Sequence, residues 1–179
     1  MNLILFGFKS CGKTTLGKKI ADQMKRPFID TDRLVEELYK KRTGRDLNCR
    51  EIAKQVGEEG FRALESDAVL QLKKMKDTII ALGGGLILIP GIAEMLAKLG
   101  TLVYLKVSKG TLKERILKQP LPTFLDPMDA VGSFERMYAE RQPKYEKILA
   151  LSVDVETKTQ DEIIQEICAL IQKEENLNG

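Results

Sequence analysis

The chain has 179 residues, 43% hydrophobic and 31% charged, with a formal net charge of +3. That length supports one domain with a real core, and so weak and scattered a charge, without a Lys/Arg block or a row of aromatics, argues against a nucleic-acid binder. Histidine is absent, which removes Ser-His-Asp and Cys-His catalysis and most catalytic zinc sites.

In chain order, a first apolar strand is expected at residues 3–6, followed after Lys13 by a helix carrying Leu16, Ile20 and Met24 at i, i+4 spacing. A second strand is expected at 27–29, and a helix over 58–75 carries Phe61, Leu64, Ala68, Leu72 and Met75 on one face. A third strand falls at 78–82, and Pro90 favours the first turn of a helix behind it. The fourth strand is expected at 102–107, with Ser108 placed to cap the next helix. The segment 134–149 reads as helical but contains Pro143, which predicts a kink or restart there. A fifth strand at 151–155 precedes a last helix whose Thr159 and Glu162 have capping-box spacing. Short strands apolar on both faces, alternating with amphipathic helices, predict an α/β three-layer sandwich around a parallel sheet. The cysteines Cys11, Cys49 and Cys168 are widely spaced and odd in number, so they read as reduced thiols in a cytoplasmic protein. No apolar run approaches a bilayer span and no signal peptide is evident, so no membrane partner is expected.

The stretch Gly7-Phe8-Lys9-Ser10-Cys11-Gly12-Lys13-Thr14 fits G-x-x-x-x-G-K-[ST], a phosphate-binding loop, and lies between a predicted strand and a predicted helix. Glycines let successive N–H groups turn inward, and the following helix adds its positive end. The nucleotide-binding set is therefore expected to include Gly7, Lys9, Ser10, Cys11, Gly12, Lys13, Thr14 and the adjoining Thr15. Lys13 would meet the β- and γ-phosphates, and the Thr14 hydroxyl would ligate Mg²⁺. No N-K-x-D guanine-reading element occurs, which argues against a GTPase switch.

Three other places bear on what the phosphates are used for. Asp30 and Asp32, in Phe28-Ile29-Asp30-Thr31-Asp32, end the second strand, and ligands collect at the carboxyl ends of strands in open parallel sheets. One carboxylate suits the metal, the other an attacking hydroxyl, although either also fits a helix N-cap. Gly83-Gly84-Gly85 ends the third strand with bare backbone and no aspartate, which leaves Asp30 as the acidic partner of a metal. Arg62 and Arg141 carry planar forks suited to a carboxylate, although a single arginine on an amphipathic helix equally fits a solvated surface charge. Glu65, one turn after Arg62, can hold that side chain in place.

In order along the chain, GFKSCGKT, FIDTD, TGR at 43–45, EEGFRALE, ALGGGLILIPG and ERQPKYEKI resemble the shikimate kinase family over nearly the whole length. The resemblance implies a P-loop, nucleoside-monophosphate-kinase-like fold with a five-stranded parallel sheet, a small substrate-binding subdomain at about residues 33–64 and a lid at about 116–133. It implies transfer of the ATP γ-phosphoryl group to the 3-hydroxyl of shikimate, on the route to chorismate and the aromatic amino acids. It further implies Lys13 and Thr14 at phosphate and Mg²⁺, Asp30 near the metal, and Asp32 at the shikimate hydroxyls. Arg62 and Arg141 would hold the shikimate carboxylate, with Gly84 and Gly85 as backbone contacts. Arg115 would stack on adenine and Lys158 would lie on the nucleotide's other side. A monomer is expected.

One departure stands out. Where the family's lid carries an arginine before Pro-Leu, this chain reads Lys118-Gln119-Pro120-Leu121-Pro122, and no arginine occurs between Arg115 and Arg136. Lys118 is the catalytic cation expected in its place, or else Lys13 with Mg²⁺ alone. Two other readings compete: a gluconate-type small-acid kinase, and a weakly active protein that binds ATP and shikimate because Gln119 replaces the arginine. A nucleoside monophosphate kinase would need several lid arginines that the stretch lacks.

Overall fold

The computed structural model describes residues 1–178. Its five strands are β1 (Asn2–Phe6), β2 (Phe28–Asp30), β3 (Ile79–Ala81), β4 (Gly100–Lys106) and β5 (Leu151–Asp154). Each lies where the apolar runs predict it, with ends moved by one or two residues. They form one sheet in the order β2-β3-β1-β4-β5, every adjacent pair parallel. Every residue of β1 and β3 is buried, which is why those central strands read as unbroken apolar runs rather than alternating ones.

The helices are α1 (Lys13–Met24), α2 (Thr31–Thr43), α3 (Cys49–Leu72), α4 (Ile92–Ala97), α5 (Lys109–Leu117), α6 (Ala130–Glu146) and α7 (Gln160–Asn178). The step from β1 to β2 passes over β3 and runs opposite to every later step. Right-handed crossovers therefore put α1 on one face and the helices of the later steps on the other, and α7 packs against α1. The main core gathers the sheet and its covering helices around residues such as Leu3, Ile80, Val103 and Phe134. A separate small core of Val35, Tyr39, Ile52, Leu64 and Ala68 joins α2 to α3.

Local signals act as the sequence suggests in most places. The Ser108 side chain accepts from Thr111 N–H at the start of α5, and Thr159 and Glu162 exchange bonds of 2.7 and 3.3 Å before α7. Helix α3 begins earlier than expected, because Asn48 and Glu51 form a capping box. It then kinks at Gly57, where φ is 73° and ψ −179°. The expected break at Pro143 does not occur: α6 runs through it to Glu146. Tyr145, fully buried among Phe6, Phe8 and Tyr104, holds that last turn in register.

Candidate active site

Strand β1 delivers the chain into the phosphate-type loop at the carboxyl edge of the sheet. Gly7 and Gly12 sit at φ +143° and +104°, and a Cβ on Gly7 would stand 2.9 Å from Leu105 O, so only glycine lets the loop pass there. No side chain caps α1, and the N–H groups of a helix's first turn have no partner within the helix, which suits them to an anion. Lys13 is only 8% exposed, and its Nζ donates to the carbonyls of Gly7 and Phe8 at 3.0 and 2.8 Å. The adjoining crevice of about 330 Å³ is lined by Lys9, Ser10, Gly12, Lys13, Thr14 and Thr15 from the loop, and by Asp30, Asp32, Gly84, Arg115 and Gln119 opposite. Cys11 is buried beneath it.

Asp30 serves two groups at once. Its Oδ1 accepts from Asp32 N–H at 3.0 Å, capping α2, and its Oδ2 accepts from the Thr14 hydroxyl at 2.7 Å. A hydroxyl and a carboxylate meeting there make a hard-oxygen pair of the kind Mg²⁺ takes together with phosphate oxygens and waters. Asp32 opens onto the crevice, yet enclosure by protein is the largest influence on its carboxyl and raises its pKa. Asp30 adds to the rise, Lys13 and Lys9 oppose it, and Glu36 contributes a smaller increase.

The three-glycine turn after β3 borders Asp32, Lys9 and the two arginines in succession. Gly83 N–H donates to Thr31 Oγ1 at 2.7 Å, and a Cβ on Gly83 would come within 2.5 Å of Asp32 Oδ1. A Cβ on Gly84 would lie 3.2 Å from Lys9 N. One on Gly85 would lie 3.4 Å from Arg62 Nη1 and 3.8 Å from Arg141 Nη1. Two guanidinium groups from α3 and α6 thus converge on Gly85, on the same edge of the sheet as Lys13. They line a second cavity of about 240 Å³, walled by Leu88, Ile89 and Pro90 and edged by Glu140 and Lys144.

Both arginines are fixed from behind. Arg62 Nη1 donates to Glu65 Oε2 at 2.6 Å, and the Glu65 side chain is only 8% exposed. Burial raises the Glu65 pKa; the charge and hydrogen bond of Arg62 oppose the rise, Asp32 adds to it, and Arg141 opposes it more weakly. Arg141 lies over the Phe124 ring at 4.9 Å. One helical turn beyond Arg141, the Tyr145 hydroxyl donates to Gly84 O, so one face of α6 sets both the arginine and the turn it faces.

Three expected contributors are placed less uniformly. Arg115 lines the crevice and donates from Nη1 to Ser10 O at 3.3 Å. Lys118 does not face the crevice: it pairs with Glu114 on the exposed end of α5, and Gln119 takes the lining position. Lys158 likewise pairs with Glu166, at 2.6 Å, outside the crevice lining. The sequence reading missed Tyr145 and Phe124. Tyr145 carries a usable signal, its i+4 spacing from Arg141, whereas Phe124 sits in an irregular loop and carries none.

Comparison with known proteins finds similarity over nearly the whole chain. A family model described as shikimate kinase matches residues 9–172. A shikimate kinase of Caldanaerobacter subterraneus subsp. tengcongensis is 36% identical over 93% of each chain. One of Francisella philomiragia is 34% identical over 97% of this chain and 96% of its own. Among solved structures, a shikimate kinase from Acinetobacter baumannii in complex with shikimate superposes with a TM-score of 0.83, at 25% identity over 97% of this chain and 93% of that one.

Proposed function

The chain belongs to the shikimate kinase family, and from that premise we propose that it transfers the γ-phosphoryl group of ATP to the 3-hydroxyl of shikimate, a step toward chorismate and the aromatic amino acids. One observation carries the reading: the paired guanidinium groups at Gly85 stand directly across a side-chain-free turn from the phosphate loop. A small acid gripped at one end there presents its hydroxyls toward Asp32 and the crevice.

In this reading the N–H groups of the loop and Lys13 hold the triphosphate, and Arg115 flanks the base. Thr14 and Asp30 would hold Mg²⁺, which when bound neutralises phosphate charge. No cluster of three or more His, Cys, Asp or Glu occurs among the described residues, which suits an ion completed by phosphates and waters. Arg62 and Arg141 fix the shikimate carboxylate, with Gly84 and Gly85 lining the approach. Fixing both reactants replaces a bimolecular encounter with a near-unimolecular step. Asp32 accepts the hydroxyl proton late, since the transition state is loose and needs little help from a base. The α2–α3 unit, with its own small core, serves as the substrate-binding subdomain, and the 116–133 segment as a lid that limits water. Three unpaired cysteines favour a reducing cytoplasm, and no helix among the described residues is long and apolar enough to cross a membrane. We take the enzyme to be a monomer.

The test follows ADP formation from Mg-ATP against shikimate, gluconate, AMP and CMP. Release with shikimate alone is expected. Release with gluconate instead would overturn the substrate assignment. Tight shikimate binding without ADP would favour the weak-binder reading, which rests on Gln119 in the crevice lining.

A further inference from the structure

We infer that Lys9 is the cation that meets the transferring phosphoryl group from the acceptor side. The inference rests on the proposed shikimate kinase reaction and deepens it. In that step the shikimate 3-oxygen forms a bond to the γ-phosphorus, the bond from that phosphorus to the β,γ-bridging oxygen breaks, ADP leaves with the electron pair, and the hydroxyl proton passes to Asp32. Negative charge spreads over the three equatorial oxygens of the moving group. A positive side chain on the acceptor side stabilises that charge most where water is excluded.

The cations around the site divide by position. Lys13 is tied across the loop to the carbonyls of Gly7 and Phe8. Arg115 reaches Ser10 O from the α5 side. Lys118 is turned away to Glu114. Arg62 and Arg141 lie beyond the glycine turn at Gly85, in the other cavity, and Lys144 at that cavity's edge is paired with Glu140. Lys9 is left. It is exposed, lines the crevice with Asp32 and Gln119, and makes no ion pair or side-chain hydrogen bond among the described residues. Its backbone passes the Gly84 turn, with Lys9 N and Cβ at 3.2 and 3.8 Å from the point a Gly84 Cβ would occupy. That puts the root of the side chain at the border between nucleotide crevice and acid-gripping cavity, the line the phosphoryl group must cross. A lysine there is a mobile point charge on a four-carbon stem, able to follow the group.

The experiment compares wild type, K9M, K9R and K118M by steady-state kinetics, with shikimate affinity by calorimetry and melting temperature as controls. K9M is expected to lower kcat on the order of 10²–10³-fold, as for loss of one preorganised donor. Shikimate affinity and melting temperature should stay at wild-type values, and K9R should recover a large part of the rate. A kcat within about threefold of wild type for K9M, against that expected loss, overturns the inference and leaves the shikimate assignment standing. So does a rise in KM with kcat unchanged, or a larger loss in K118M than in K9M. Wild type that releases no ADP with shikimate removes the substrate assignment, and the role of Lys9 with it.

Discussion

Replacing Gly85 with alanine separates acid recognition from folding more cleanly than replacing either arginine. Gly85 has φ −102° and ψ −11°, a right-handed conformation that alanine adopts without strain. Its added Cβ would stand 3.4 Å from Arg62 Nη1 and 3.8 Å from Arg141 Nη1, ordinary or slightly tight contacts that a guanidinium tip can absorb. A carboxylate oxygen bridging the same two groups must sit about 2.8 Å from each, in space that the methyl would overlap. Losing one charge-assisted hydrogen bond costs about 1.5–3 kcal/mol. At tenfold per 1.4 kcal/mol, shikimate affinity should fall about 10- to 100-fold. Folding should not suffer, since Gly→Ala at a permitted φ adds up to about 0.4–1 kcal/mol of stability. Calorimetric titration with shikimate, steady-state KM and a thermal melt read the two effects separately. A G85A protein with undiminished shikimate affinity would show that the carboxylate does not sit between Gly85 and the arginine pair.

Three further outcomes follow from the same geometry. In Asp32 the pKa is raised on folding, by burial first and Asp30 next. Such a carboxyl favours the native state below its ordinary value of 3.8 and loses that contribution as pH rises through the folded value. D32N should therefore melt higher than wild type at pH 7.5, the gain shrinking as pH falls toward 3.8, while phosphoryl transfer drops about 10²–10⁴-fold; a lower melting temperature at pH 7.5 refutes the sign. E65Q removes the charge behind Arg62 and should raise KM for shikimate about tenfold, the loss of one charged hydrogen bond, with kcat little changed. F124A removes the ring beneath Arg141; a partly exposed cation–π contact is worth about 0.5–1 kcal/mol, so KM for shikimate should rise about two- to fivefold, and an unaltered KM would mean that Arg141 is fixed by α6 alone.

The sheet was legible because its central strands are buried on both faces and carry that burial in composition: Leu3, Ile4 and Leu5 need no partner to be read as strand. The phosphate loop was legible because its chemistry is local, eight consecutive residues between one strand and one helix. What failed was medium-range. The expected break at Pro143 ignored Tyr145, whose burial among three other aromatic rings holds the last turn of α6. The catalytic role expected of Lys118 is untested, but the structure pairs it with Glu114, its i−4 neighbour on α5, a pairing that helix spacing alone would have suggested. Residue spacing could not bring Arg62 and Arg141 together, since they come from helices separated by two strands. On the residues alone each was an ordinary surface charge, and only the family resemblance paired them.

The divider between the two cavities makes one tripeptide a demanding stretch of the site. Gly83, Gly84 and Gly85 each face a different neighbour: the carboxylate of Asp32, the backbone of Lys9 and the arginine pair. A side chain at the first would collide with the acid facing the crevice, at the second would push the phosphate loop back, and at the third would fill the acid grip. The separation of donor and acceptor is therefore set by the thickness of bare backbone, the thinnest partition a chain can make. Its position is set in turn by Tyr145, which binds Gly84 O from the helix that carries Arg141. Any movement of α6 shifts Arg141 and the partition together, so the distance between those two survives the movement, while Arg62 stays with α3, held there by Glu65. Orientation of the two reactants thus rests on side chains and backbone held by helices and strands rather than on free loops, and that is the condition under which positioning contributes most to rate.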